Sequence, residues 1–256
     1  MPELNELFGT DHPVALVTGS GAKRVGNVVA RALAARGFQL VLHANRSLAE
    51  AEGTMNEIRQ AGGQAIALAA DLSDEAAARQ LVDNAQQHFG RLDVLVNCAA
   101  VWRPVPLEDV TADEVRRNFE INTLATFLCS QQAGLIMATQ ATGGVIINIG
   151  DWAVARPYLN HAAYFPSKGA IPALTRDLAV ELASRNPLVR VNAILPGPVM
   201  LPADLPLEER QASIAGTLVK REGSPEHIAH AALFLIENDF VTGVSLPVDG
   251  GRTIAS

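Results

Sequence analysis

Short apolar runs alternate along the chain with longer segments in which apolar residues recur at helical spacing. The apolar runs predict seven strands, which are VALVTG, FQLVLHA, QAIALAA, LDVLVNCAA, GGVIINIG, VRVNAILPG and VSLPVDGG. The segments between them predict helices near 26–36, 47–61, 73–89, 111–138, 161–185 and 224–238. Because the runs are apolar throughout, the strands are expected to be buried on both faces of a parallel sheet.

Alternation of strand and helix predicts an α/β fold in one domain spanning residues 1–256. The expected architecture is a Rossmann-type doubly wound parallel sheet of about seven strands, with helices on both faces. Residues 1–13 are interpreted as an N-terminal extension. The segment 197–223 is rich in proline and leucine and is the one long irregular stretch, so it is predicted to be a lid over a substrate.

Composition narrows the classes of partner. The net charge of −7 argues against nucleic acid, because binding to phosphate backbones needs clustered lysine and arginine. Cys98 and Cys129 provide no disulfide framework and no metal site is indicated, which favours reduced thiols. No stretch reaches the length of a membrane span and no leader is evident. We therefore expect a cytoplasmic protein that acts on a small molecule.

The stretch VTGSGAKRVG, residues 17–26, resembles a phosphate-binding turn between a strand and a helix. Gly19 and Gly26 would allow close packing, and the helix start would present backbone N–H groups to a pyrophosphate. Lys23 and Arg24 stand where such turns usually have glycine. They are either surface charges or groups that contact the cofactor and the substrate.

The second strand ends in LHANRS, whereas NAD-binding folds usually have an acidic residue there. Asn45 has no charge, Arg46 can bind a 2′-phosphate through its planar guanidinium, and Ser47 can donate at a helix start. The predicted cofactor is therefore NADP(H). The alternative is that Arg46 is a solvated loop arginine.

Several spaced motifs together are similar to those of the short-chain dehydrogenase/reductase family, over about residues 14–253, and within it to the pteridine reductase group. The resemblance implies a nicotinamide cofactor, and it extends the cofactor contacts to Asp71, Leu72, Asn97, Ala99, Lys168, Pro196, Gly197 and Val199. It also implies that Asn122 anchors a proton-relay water, that Arg24 reaches both cofactor and substrate, and that the protein is a homotetramer packed through the helices at 111–138 and 161–185. The turn is one residue longer here than in the family, which leaves open whether Lys23 or Arg24 faces the site.

Tyr164 and Lys168 lie four residues apart in YFPSK, so a helix places them on one face. The lysine charge is expected to lower the pKa of the tyrosine, and the phenol can then exchange the proton that accompanies hydride transfer. Pro166 between them fits if the helix begins close to Ala163.

Asp151 and Trp102 point to the substrate. Most of the family has a serine thirteen residues before the tyrosine, and this chain has Asp151, as the pteridine reductases do. A carboxylate cannot donate to a ketone, whereas a carboxylic acid with a raised pKa can protonate a pterin nitrogen. Trp102 occupies the position of an aromatic residue that stacks on the pterin ring, although Trp152 competes for that role.

Together these residues predict an NADPH-dependent reduction of a C=N bond in a pterin or dihydrofolate-like substrate. The predicted catalytic residues are Tyr164, Lys168, Asp151 and Asn122, and the predicted substrate contacts are Arg24, Trp102, Asp151 and Tyr164. Two alternatives remain: a carbonyl reductase acting on a ketone or a 3-oxoacyl thioester, and a non-catalytic NADP-binding sensor.

Overall fold

A computed structural model describes residues 3–255; Met1, Pro2 and Ser256 lie outside the described residues. All seven predicted strands form one parallel sheet in the order β3-β2-β1-β4-β5-β6-β7. The strands are β1 Val14–Thr18, β2 Gln39–Ala44, β3 Ala65–Ala69, β4 Val94–Asn97, β5 Gly144–Ile149, β6 Val189–Pro196 and β7 Ser245–Val248. The predicted single-domain, doubly wound fold is confirmed.

Helices cover both faces of the sheet. They are α1 Leu4–Phe8, α2 Val25–Arg36, α3 Leu48–Gln60, α4 Glu75–Phe89, α5 Ala112–Phe119, α6 Ala125–Thr139, α7 Tyr164–Ala183, α8 Leu207–Ala215 and α9 Pro225–Glu237. Apolar residues of α1, α2, α3 and α9 form one core layer with the sheet, and those of α4, α6 and α7 form the other. The predominantly apolar central strands are thereby shielded on both sides, as the sequence pattern requires, while the edge strands β3 and β7 are partly exposed.

Three local features differ from the sequence-based expectation. The N-terminal extension contains α1, whose Leu4 and Phe8 are buried in the core. The segment predicted as irregular contains α8, and the ion pair between Arg210 and Glu222, at 2.6 Å, links that helix to the end of the segment. The predicted helix at 111–138 is divided by a π-helical turn, Glu120–Leu124.

The strand order reverses direction between β1 and β4, and this is where open parallel sheets bind ligands. The two strands pair along their length, with Thr18 opposite Asn97. The buried hydroxyl of Thr18 accepts hydrogen bonds from the backbone N–H groups of Cys98 at 3.0 Å and Ala99 at 3.1 Å. This hydroxyl therefore fixes the turn after β4 against the end of β1.

Replacing Thr18 by valine keeps the shape of the side chain but leaves both N–H groups without their acceptor. We expect Thr18→Val to lower the free energy of unfolding by about 2 kcal/mol, the cost of unsatisfied buried donors. Urea unfolding measures it, with Thr18→Ser as the control that keeps the hydroxyl. Equal stability of Thr18→Val and the unchanged protein would contradict this role for the hydroxyl.

Candidate active site

The glycine turn lies against the turn after β4 at the point where the strand order reverses. A Cβ atom on Gly19 would lie 2.8 Å from Ala99 Cα, and one on Gly26 would lie 2.7 Å from the Gly19 carbonyl oxygen. Gly19 also has a φ of +65°, in the left-handed region that favours glycine. Both positions therefore need glycine, as the sequence predicts, because backbone packs directly on backbone.

The start of α2 fits a phosphate group. Its N-cap residue is Arg24, and no side chain of the described residues caps the helix there. The first N–H groups of a helix have no intrahelical acceptor, and the helix dipole favours an anion at this end. The turn can therefore hold the pyrophosphate of a dinucleotide.

Other predicted cofactor contacts surround this helix start. Asn45, Arg46 and Asp71 are exposed at the ends of β2 and β3, and Ser47 Oγ lies beside Gly21, 2.6 Å from where a Cβ would stand. Hydrogen bonds from Ser73 lower the pKa of Asp71, and the charge of Arg46 adds to the effect. The structure thus gathers residues from three strand ends, as the motif predicts.

The remaining predicted cofactor residues lie on the same edge of the sheet. Leu72 and Val199 are buried, and Pro196 and Gly197 are partly buried where β6 ends. Asn97 differs from the expectation, because its side-chain amide donates to Ser130 Oγ and Asn148 Oδ1, both at 2.9 Å, inside the core. The amide N–H group of Asn97 thus supports the sheet.

Tyr164 and Asp151 form a direct pair. The Tyr164 hydroxyl donates to Asp151 Oδ2 at 2.8 Å, and Asp151 Oδ1 accepts from the backbone N–H of Ala153 at 2.8 Å. Burial raises the pKa of Asp151, as predicted, against the opposing effects of these hydrogen bonds and of Lys168. The carboxyl group is therefore easier to protonate than an exposed aspartate.

The expected lowering of the Tyr164 pKa is wrong for this site. Burial and the neighbouring Asp151 raise that pKa well above its usual value. Lys168 is buried and its Nζ donates to the Ile149 carbonyl oxygen at 2.7 Å. Burial lowers the pKa of Lys168 to about 8, although the charge of Asp151 opposes the change. Burial is the larger cause of the raised Tyr164 pKa, and the charge and hydrogen bond of Asp151 add to it.

The first turn of α7 accommodates Pro166. The helix begins at Tyr164 with Ala163 as its N-cap, so Pro166 stands where no intrahelical N–H donor is needed. The helix also continues through Pro172. Tyr164 and Lys168 thus share a face, as the four-residue spacing predicts.

Asn122 lies in the π-helical turn and is fully buried. Its Oδ1 accepts from the Val101 N–H at 2.8 Å, while its Nδ2 donates to the Val101 carbonyl at 3.1 Å and to Ser167 Oγ at 3.0 Å. π-Helical turns occur often at functional sites. Here the turn lets one amide connect the segment before Trp102 with the helix that contains Lys168.

A cavity of about 460 Å³ lies beside this cluster, and it is lined by Arg24, Ala100, Val101, Trp102, Arg103, Glu114, Arg117 and Asn118. Arg24 lines it, whereas Lys23 is not part of the lining, so Arg24 is the member of the basic pair that faces the cavity. Arg103 is paired with Glu114 at 3.1 Å. The other arginines give the cavity a positive lining suited to a polar or anionic ligand.

The two tryptophans face different surroundings. Trp102 stacks on His161 with a centroid distance of 5.0 Å and lines the cavity. The ring of Trp152 instead lies under the guanidinium of Arg252 at 5.2 Å. Trp102 is therefore the tryptophan available to a ligand in the cavity.

Sequence reasoning missed two buried histidines near the site. His161 Nδ1 hydrogen-bonds the Leu159 carbonyl at 2.8 Å, and its Nε2 has no partner among the described residues. No local pattern marked His161, because a histidine in a loop is common. His43 hydrogen-bonds the backbone N–H of Gly19. It had a signal, since it is the one ionisable residue in the apolar run FQLVLHA.

Among residues 3–255, no group of three or more His, Cys, Asp or Glu side chains is arranged to hold a metal ion. No helix within that range is both long enough and apolar enough to span a bilayer.

Comparisons with known proteins agree with the geometry. Residues 21–253 match the family model described as enoyl-(acyl carrier protein) reductase. An uncharacterized oxidoreductase of Methylorubrum extorquens is 39% identical, over 93% of this chain and 96% of that protein. Glucose 1-dehydrogenase 2 of Bacillus subtilis is 33% identical, over 94% of each chain.

A solved structure provides a further comparison. It is a 7 alpha-hydroxysteroid dehydrogenase in complex with NADH and 7-oxo glycochenodeoxycholic acid, and it superposes with a TM-score of 0.88 at 34% identity. The match covers 96% of this chain and 94% of that one. The glycine turn, the Tyr164–Lys168 pair and these relatives together establish that the chain is an oxidoreductase of the short-chain dehydrogenase/reductase family.

Proposed function

We propose that the protein is an NADPH-dependent, pteridine-reductase-like enzyme that reduces a C=N bond of a dihydropterin, a dihydrofolate or a related ring. The observation that carries the proposal is the 2.8 Å hydrogen bond between the Tyr164 hydroxyl and the Asp151 carboxyl group. This carboxyl group stands where most of the family has a serine hydroxyl, so the site presents a titrating acid instead of a neutral donor.

Reduction of C=N requires a proton at nitrogen as well as a hydride at carbon. Bound NADPH supplies the hydride, and the buried pair of Asp151 and Tyr164 holds the proton. Because burial raises the pKa of Asp151, a fraction of the carboxyl group is protonated closer to neutral pH and can donate to a ring nitrogen. In its ionised form the same group accepts from Tyr164 and offers no donor to a ketone oxygen.

Residues around the cavity support a flat, nitrogen-rich substrate. The exposed face of Trp102 can stack on a heteroaromatic ring, and His161 supports the indole from its other side. Arg24 lines the same cavity and can hydrogen-bond the polar edge of such a ring. We further propose that residues 197–223, with the exposed Met200 and Leu207, cover the bound substrate.

NADP(H) is the proposed cofactor because no acidic residue follows β2. Arg46 is exposed at the end of that strand, and Ser47 lies beside the glycine turn. A 2′-phosphate would gain from the guanidinium charge, and a carboxylate that could repel it is missing from this position.

Carbonyl reduction is the second candidate, and the relatives favour it. Glucose 1-dehydrogenase 2 and the hydroxysteroid dehydrogenase are named for reactions at an alcohol or ketone carbon. The Tyr164–Lys168 pair serves either reaction, so the two candidates differ in what Asp151 does.

Exposed apolar side chains support the proposed homotetramer. Phe119 is exposed on α5, Leu124 in the π-helical turn, Leu135 on α6 and Val180 on α7, and these residues belong to the two segments expected to pack between subunits. The mass of the protein in solution tests whether it is a tetramer.

Both cysteines are unpaired, and this is consistent with the proposed cytoplasmic location, where thiols stay reduced.

Replacing Arg46 by aspartate tests the cofactor. We expect the unchanged protein to prefer NADPH to NADH in kcat/KM, and Arg46→Asp to narrow or invert that preference because attraction becomes repulsion at the 2′-phosphate. Arg176→Asp, at an exposed position in the second half of α7, is a control for the change of charge alone. Equal use of the two cofactors by the unchanged protein would remove Arg46 from the site.

Replacing Asp151 by serine tests the substrate class. We expect Asp151→Ser to lower kcat/KM for a dihydropterin or dihydrofolate by about a hundredfold or more, because the proton source is lost. Its kcat/KM for ketones should hold or rise, because serine restores a neutral donor. Asp151→Asn, which keeps the shape without the acid, should lose dihydropterin reduction in the same way, because a side-chain amide cannot serve as the acid. Undiminished dihydropterin reduction by Asp151→Ser would refute the proposed role of the carboxyl group.

Lys168 makes a pH-dependent prediction. Its pKa of about 8 means that the ammonium loses its proton as the pH rises through that value. We expect kcat/KM for NADPH to decline there, since this parameter reports the free enzyme. Lys168→Arg stays charged, so any activity it keeps should decline only at a higher pH. A decline at the same pH in the arginine variant would assign the titration to another group.

A further inference from the structure

His43 connects the segments that form the cofactor site. Its Nδ1 accepts a hydrogen bond from the backbone N–H of Gly19 at 3.0 Å, and its Nε2 lies 3.0 Å from the Ala70 carbonyl oxygen. Gly19 belongs to the predicted phosphate-binding turn, and Ala70 directly precedes Asp71, which is a predicted cofactor contact. The His43 ring, near the end of β2, thus links the turn after β1 with the turn after β3.

The backbone of His43 strengthens the same link. Its N–H donates to Ser20 Oγ at 3.0 Å, and its carbonyl oxygen accepts from the N–H groups of Ser20 at 3.0 Å and Gly21 at 3.2 Å. The Ser20 hydroxyl in turn donates to the Val17 carbonyl at 2.7 Å. Four hydrogen bonds to His43 therefore hold the glycine turn to the end of β2, and the Ser20 hydroxyl also ties the turn to β1.

The partners of the ring determine its tautomer. An N–H group can only donate, so Nδ1 must be unprotonated, and a carbonyl can only accept, so Nε2 must carry the proton. A second proton on Nδ1 would oppose the Gly19 N–H and break that contact. The arrangement therefore exists only while the imidazole is neutral.

We propose that neutral His43 is a positioning residue for the dinucleotide, which holds the glycine turn in its phosphate-binding shape and releases it when Nδ1 is protonated. The inference rests on cofactor binding by this fold and does not depend on whether the substrate is a pterin or a ketone. His43 lies beneath the turn, and it acts through Gly19.

The groups around His43 determine the pH at which its ring is protonated. Burial lowers the pKa of His43 below the ordinary histidine value of 6.5, while the hydrogen bond to Ala70 and the charge of Asp71 raise it in part. Within residues 3–255, the carboxylate of Asp71 is the charged group that acts on the His43 pKa, and the charge of Arg46 acts in turn on the pKa of Asp71. The neutral form therefore prevails at neutral pH and is lost on the acid side of the histidine range.

Two conservative variants separate the two ring contacts. The side-chain amide of asparagine reaches the position of Nδ1, so His43→Asn can keep the acceptor for Gly19. Glutamine reaches the position of Nε2 instead, so His43→Gln can keep the Ala70 contact and lose the Gly19 contact. Neither amide titrates.

The test measures the dissociation constant of NADP⁺ by calorimetry, with no substrate present, from neutral to mildly acidic pH. At neutral pH we expect His43→Gln to bind about tenfold more weakly than the unchanged protein, and His43→Asn to stay within about threefold, because only asparagine keeps the acceptor. On acidification, binding by the unchanged protein should weaken more than binding by His43→Asn. That difference excludes the titration of the 2′-phosphate and of Asp71, which both proteins share.

A second measurement does not depend on cofactor affinity. The ¹⁵N chemical shifts of the His43 ring should show the Nε2–H tautomer at neutral pH, and the Gly19 amide signal should shift as the ring is protonated. Equal binding by His43→Gln and the unchanged protein, or the same acid dependence in the unchanged protein and His43→Asn, would overturn the proposal. An Nδ1–H tautomer would do so even if either variant failed to fold.

Discussion

All seven strands of the sheet run parallel, so each strand ends at the same edge. Much of the candidate site follows from that constraint. The glycine turn comes after β1, the segment with Arg46 after β2, the turn with Asp71 after β3 and Asp151 shortly after β5. Because β1 and β4 lead to opposite halves of the sheet, a groove opens between them. Thr18 and His43 then fix the loops around that groove by hydrogen bonds.

The sequence predicted the strands and helices that depend on a local pattern of apolar residues. Apolar runs and helical periodicity located every strand and six helical segments, because burial on both faces makes a strand predominantly apolar. The π-helical turn at Glu120–Leu124 was not predictable in this way, since it differs from an α-helix only in hydrogen-bond register. The short helices α1 and α8 lie in segments read as an extension and a lid.

In the candidate site, too, residue spacing was predictable from the sequence, whereas the surroundings of each side chain were not. Four-residue spacing correctly placed Tyr164 and Lys168 on one face, but it could not show that Asp151 is the nearer influence on the phenol. Burial and the neighbouring carboxyl group therefore raise the pKa of Tyr164, which the spacing to Lys168 had predicted to be lowered. Asn97 and His43 depended on tertiary contacts with β5 and with the glycine turn, so no local pattern revealed their partners.

We propose that the buried carboxyl group of Asp151 adapts the active site of the short-chain dehydrogenase/reductase family to the protonation of a substrate nitrogen. NADPH oxidation by the purified, unchanged protein tests this directly, with dihydropterins, dihydrofolate, ketones and a 3-oxoacyl thioester as substrates. We expect kcat/KM for a dihydropterin or dihydrofolate to exceed that for any ketone by at least about tenfold. Ready reduction of ketones, with neither turnover nor binding of any dihydropterin or dihydrofolate, would contradict it.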